Sequence, residues 1–237
     1  MKVFFAIFAF IRGVIATKGR LIALTGMGIA GALIALAIGA SNPTDPIRSA
    51  SLFISGYGMT LMVPIISLVF ATAALGNLVE DNSLVYLWMR PTNRSLVAGG
   101  ATAAAWVVAV PLVVIPLVIS AFLAGGGGRV ALATTFAATL GIMAYCSLFV
   151  AIGLRFKRAL LWGLVYVLIW EGTVARSATG ASRLSVQTYI NSAFSDFANV
   201  NLVHADIDGT VAVAVLIMLC AAGIGLTTWL LNRREVA

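Results

Sequence analysis

Few side chains in this 237-residue sequence have the type and spacing to do chemistry. The one histidine, His204, is followed by Asp206 and Asp208. An imidazole with two carboxylates can hold a cation, but no second imidazole or thiolate accompanies them, and transition-metal sites need such ligands in number. A hydrated polar loop accounts for the same residues. Cys146 and Cys220 lie inside apolar runs and read as small core residues, not as a disulfide or a metal pair. Gly26-Met27-Gly28-Ile29-Ala30-Gly31 is a literal GxGxxG, yet no strand precedes it and no polar loop surrounds it. Small residues that let helices approach closely explain it better. Gly125–Gly128 is a glycine turn without the lysine of a phosphate loop. There is no Walker lysine motif, nucleophile elbow or zincin motif. The apolar segments hold no carboxylate pair and no Ser/His pair. The chain is therefore not expected to be an enzyme by itself, nor to hold a metal or cofactor.

Glu171 is the exception. It stands in Trp170-Glu171-Gly172, well into an apolar stretch that begins after the basic turn Arg155-Phe156-Lys157-Arg158. At about 1.5 Å per residue it lies roughly 19 Å along a helix, past the midplane of a bilayer core about 30 Å thick. An ionisable group at that depth marks a candidate functional site. A structural pair with Arg176, or a position already at the interface, would account for it as well.

The elements that carry these residues are membrane helices. Hydrophobic residues make up 61% of the chain and charged residues 10%, with a mean hydropathy of +1.06; soluble domains average about 25% charged residues. The expected fold is all-α and integral to the membrane, a single domain over 1–237. Residues 1–20 read as an interfacial helix, with Phe4, Phe8, Ile11 and Ile15 on one face and Lys2, Arg12 and Lys18 able to reach water. A secretory signal fits less well, because no small-residue cleavage site precedes a polar region. Six spans are expected at 21–40, 52–75, 96–123, 130–154, 159–175 and 209–231. Ser41–Ala50 reads as a polar turn, and Pro64 should kink the second span. Pro111 and Pro116 should break the third towards its far end.

Six spans put both termini on one side. Eleven of the fifteen Lys and Arg residues fall on that side: Lys2, Arg12, Lys18, Arg20, Arg90, Arg94, Arg155, Lys157, Arg158, Arg233 and Arg234. Only Arg48, Arg129, Arg176 and Arg183 fall on the other. The positive-inside rule makes the termini cytoplasmic, which explains the net charge of +7 without nucleic acid. Residues 176–208 are then external. Within them Val186, Tyr189, Ile190, Ala193, Phe194 and Phe197 repeat with helical spacing opposite Gln187, Asn191, Ser195 and Asp196, and Ser185 is placed to cap. Such an amphipathic helix could lie on the outer leaflet, dip in as a re-entrant segment, or simply cover helix ends.

One charged island interrupts the apolar sequence, in the connection 77–95. It reads as a short capped helix. Glu80 and Asp81 sit at its start, Asn82 or Ser83 can cap it, and Leu84, Leu87 and Trp88 form one apolar stripe. Arg90 and Pro91 end it. An ordinary connecting loop is the plainer reading. However, the pattern of Glu80, Asp81, Ser83, Leu84, Tyr86, Leu87, Arg90, Pro91 and Arg94 resembles the ABC-2 family of transporter permeases. The six spans, the leading interfacial helix and the external helix before the last span are similar to that family's layout. Trp170-Glu171-Gly172 is similar to a recurrent feature of its small bacterial members. Two positions depart from the pattern: Asn82 replaces a common glycine, and Gly99-Gly100 stands where a lysine is often seen.

The resemblance implies a coupling helix, with Trp88 on its docking face, seated in a separate ATP-binding subunit. Two such subunits, carrying ATP and Mg, would pair with two permeases, this chain and a second copy or a homologue. The implied activity is export of a hydrophobic or amphipathic substrate across a bacterial cytoplasmic membrane, in contact with its lipids. Pro64 and Glu171, with Tyr189 and Phe194 of the external helix, are then candidates for the pathway or its gate. A secondary transporter is the alternative, although internal repeats and several intramembrane charges are missing. So is a membrane anchor or assembly subunit, for example in metalloenzyme maturation.

Overall fold

The computed structural model describes residues 2–80, 93–174, 182–200, 202 and 207–233. Every regular element among them is helical. Five helices are long and apolar enough to cross a membrane: Lys18–Ala40, Pro46–Asn77, Arg94–Leu123, Gly127–Arg155 and Gly209–Arg233. In chain order, α1 is Lys2–Ile15 and α2 Lys18–Ala40. A long rod follows, made of α3 (Pro46–Phe53), a π-helical stretch (Ile54–Met62) and α4 (Val63–Glu80). Beyond the island come α5 (Arg94–Leu123), α6 (Gly127–Arg155) and α7 (Ala159–Val165), the last running into a second π stretch, Tyr166–Val174. The set ends with α8 (Val186–Ala198) and α9 (Gly209–Arg233).

The long rod differs from expectation twice. It begins at Pro46, so the polar turn stops five residues early. Asp45 Oδ1 accepts the N–H of Arg48 at 3.1 Å, and proline at the first position has no N–H to strand. Around Pro64, the nine residues before Val63 wind as π-helix rather than forming a bare kink. A proline cannot donate to the carbonyl four residues back and its ring crowds it; a turn bonded over five residues takes up the mismatch. Thr60 fits the wider winding, donating Oγ1 to Ser55 O, five residues back, at 2.9 Å.

Helix α6 is the hub, packing against α4, α5, α8 and α9. Small residues set these approaches: a side chain at Gly153 would collide with the backbone of Thr72, and one at Gly223 with Ser147. Two glycines of the GxGxxG serve the same end, while Gly26 faces open space. Gly28 faces Pro116 and Gly31 faces Tyr57, whose hydroxyl donates to Met27 O at 2.6 Å. Helices α4 and α6 are mostly buried, whereas α2, α5 and α9 keep broad apolar faces exposed, including Leu33, Ile115 and Met218. Such faces suit lipid tails. Helix α1 lays Ile7, Ile11 and Ile15 against the bundle and leaves Phe5 and Phe10 outside.

The two ends of the bundle differ in charge. One end holds Asp45, Asp196 and Asp208 with Arg48, Arg129 and Arg183. The other, where α6 and α9 finish and α5 starts, holds Arg12, Lys18, Arg20, Arg94, Arg155, Lys157, Arg158 and Arg233. Glu80, the last residue of α4, lies at the same end.

Candidate functional site

A group of buried polar side chains gathers where α8 enters the bundle, among them Glu171, Ser185, Gln187 and Asn191. Ser185 takes the extended conformation of an N-cap but makes no capping bond. The cap comes from elsewhere: Glu171 Oε1, on the π stretch after α7, accepts the Val186 N–H at 3.2 Å. The same oxygen accepts from Tyr166 Oη at 3.2 Å, and Oε2 accepts from Tyr145 Oη on α6. Every one of these partners is a neutral donor, as an acceptor-only carboxylate requires, and the carboxylate sits where the positive end of the α8 dipole favours it. Glu171 is only 2% exposed. Stacking fixes the phenols, with Tyr145 on Phe149 at 5.5 Å and Tyr166 edge-on to Phe149 at 6.3 Å.

One turn further along, α8 binds the other π stretch. Gln187 Nε2 donates to Thr60 Oγ1, and Ser55 Oγ donates to Asn191 Oδ1 at 3.0 Å. The helical spacing puts Gln187 and Asn191 on a polar face opposite Val186, Ile190 and Phe194. Both amide side chains are buried, because α8 does not lie on a surface but is wedged among α6, α9 and the rod. Close packing holds it there: a side chain at Gly141 would collide with Ile190. Asn199, in the left-handed region at φ 56, ends the helix, and Ser195 Oγ donates to Val200 O. The two π stretches are thus bound to one short helix, one by a carboxylate and the other by amide and hydroxyl groups.

Of the residues expected to act, Glu171 is at the centre of this cluster and Pro64 is buried just beyond the π stretch that carries Thr60. Tyr189 instead ties down the approach to α8, donating its hydroxyl to Arg183 O at 2.7 Å. Phe194 is fully buried core. In the island, Asp81, Ser83, Leu84, Tyr86, Leu87, Trp88, Arg90 and Pro91 lie outside the described residues, as do Arg176, His204 and Asp206. Glu80 is the last residue of α4. Arg94 begins α5, where Asn93 caps, and its guanidinium donates to Leu231 O at the end of α9. Sequence reasoning missed Tyr145, Tyr166, Ser55 and Thr60. The one available signal was polar residues recurring at Ser55, Thr60 and Ser67 in an otherwise apolar span.

The described residues contain no cluster of His, Cys, Asp or Glu fit to hold a metal ion. No family model matches the chain, and no curated protein matches it.

Proposed function

We propose that this chain is the membrane-spanning subunit of an ATP-driven exporter of the ABC-2 type, powered by separate ATP-binding subunits that hold ATP and Mg. The observation that carries the reading is the island Glu80–Arg94, whose acidic start, Ser83-Leu84-Val85-Tyr86-Leu87 core and Arg90-Pro91 stop resemble that family's coupling helix. Its position supports it: the island joins α4 to α5 at the basic end of an apolar helical bundle. A chain without a nucleotide motif needs force from outside, and a short helix between two membrane helices is a compact way to receive it.

In this reading the basic end is cytoplasmic and the chain makes six crossings. The fifth is the helix from Ala159 to Val174, about 24 Å long at about 1.5 Å per residue. It falls short of a core about 30 Å thick, and α8 covers the difference at the outer side. Two such permeases face each other, with a hydrophobic or amphipathic substrate moving outward along the seam. The Glu171 cluster is the outer closure: Glu171, Gln187 and Asn191 pin α8 across the π stretches of the second and fifth crossings.

The test is co-expression with candidate ATP-binding partners, purification through a tag on this chain, and assay of Mg-ATP hydrolysis. The expected result is a stable complex whose ATPase and transport are lost in Leu87→Asp with Trp88→Asp. Recovery of the chain without any ATPase, together with unchanged activity in that double variant, would overturn the assignment.

A further inference from the structure

The turn joining α6 to α7 exposes cations and apolar side chains side by side. It pivots on Arg158, held in the left-handed region at φ 60 and ψ 42, an uncommon place for a residue with a Cβ. Arg155, Lys157 and Arg158 are all exposed, as is Phe156 between them. The first turn of α7 then exposes Leu161 at 53% and Trp162 at 57%. Ring contacts join the two groups. The Arg155 guanidinium carbon lies 5.6 Å from the Phe156 ring centre, and that ring is 6.0 Å from Trp162. Within one turn of chain the surface passes from cation, through two aromatic rings, to aliphatic side chains.

Each simpler occupant satisfies only half of this surface. An acidic soluble partner would match the cations and leave Leu161 and Trp162 against water. A zwitterionic lipid would cover the apolar half and give three cations no net counter-charge. A phosphate headgroup on the cations, with acyl chains running down α7, meets both demands. Tryptophan at headgroup depth is the usual marker of that boundary, and basic clusters there attract acidic lipids.

We infer that residues 155–162 form a binding site for an anionic phospholipid, its phosphate held by Arg155, Lys157 and Arg158 and its acyl chains lying on Leu161 and Trp162. This does not depend on the exporter reading. It requires only that the basic end of the bundle meet the headgroup layer.

Native mass spectrometry of the delipidated full chain, titrated with phosphatidylglycerol or phosphatidylcholine of identical acyl chains, tests it. The expected result is phosphatidylglycerol retained about tenfold better, with the preference falling steeply when ionic strength rises tenfold and the screening length shrinks from about 10 Å to about 3 Å. Arg155→Gln with Lys157→Gln and Arg158→Gln should erase the preference, while Trp162→Ala should weaken retention of both lipids. Equal retention of the two lipids by the unmodified chain overturns the site without reference to any variant. So does displacement of the lipid by inorganic phosphate alone. A triple variant that keeps the lipid preference but loses an acidic protein partner would assign the cations to that partner instead.

Discussion

Glu171 caps a helix to which it does not belong, and this decides what its replacement should do. Glu171→Gln puts an NH2 donor among Tyr145, Tyr166 and the Val186 amide, all of which are donors. One of them must lose its acceptor inside the bundle, at a cost of about 1–3 kcal/mol. The expected outcome is a lower melting temperature in detergent for Glu171→Gln and a smaller drop for Tyr145→Phe. The two should be coupled in a double-mutant cycle by roughly 0.5–3 kcal/mol. Unchanged melting and unchanged transport in Glu171→Gln would reduce the residue to a bystander. The residue stands out in the sequence because it is a lone carboxylate in an apolar run. Its partners do not. Tyr145 is 26 residues away in the chain, and a phenol in a core has no spacing signature. Ser185 was the expected cap, but a carboxylate from another helix claims the free amide it would have taken.

At the level of elements, the apolar runs made an all-helical, membrane-suited chain legible. The π stretches escaped notice because winding depends on how a helix meets its neighbours, not on the composition of its own residues. The placement of α8 stayed open in the sequence for a related reason. Periodicity reveals that two faces differ, but only packing tells which one turns inward, and here Gln187 and Asn191 find Thr60 and Ser55. Thr60→Val should therefore cost about 1–2 kcal/mol, since it strands the Gln187 amide as well as removing the bond to Ser55 O. Hydrogen exchange should show the loosening first in α8; an effect confined to the rod would contradict the link.

Helix α9 offers a pH test. Asp208 Oδ1 accepts from Thr210 N–H at 2.8 Å and Thr210 Oγ1 at 2.7 Å, which holds the Asp208 carboxyl below its usual range. A lowered folded-state pKa means that this stabilisation is present above the ordinary Asp value, about 3.9, and is lost as the pH falls through the folded value. Protection of the first turn of α9 should decline with acidification below about pH 4. In Asp208→Asn, whose side-chain oxygen accepts without titrating, that pH dependence should disappear. Equal pH profiles for the two proteins would rule out the cap.

For the whole molecule, the orientation in the proposed function predicts which surface is reachable from outside. Both native cysteines are buried, so single introduced thiols report cleanly. Arg129→Cys at the start of α6 should react with a membrane-impermeant maleimide on intact cells. Lys157→Cys, at the other end, should react only after permeabilisation. The reverse pattern would invert the topology. The charge census that suggests this orientation was legible in sequence, because basic flanks need no packing to be counted. Which carboxylates would accompany them was not, since pairing depends on how helix ends meet.

That imbalance between the ends bears on how the chain stands in an energised membrane. At the mixed end, Asp45, Asp196 and Asp208 offset Arg48, Arg129 and Arg183, while the other end carries eight described cations together with Glu80, the last residue of α4. Moving one elementary charge against a potential of about 100 mV takes about 2.3 kcal/mol, so carrying all eight to the positive side would take on the order of 18 kcal/mol. In the orientation of the proposed function, with the basic end at a negative interior, the voltage itself would act as an anchor: it would hold that end inward and resist any motion drawing α5, α6 or α9 outward along the membrane normal. Rotation or tilting within the membrane plane meets no such resistance.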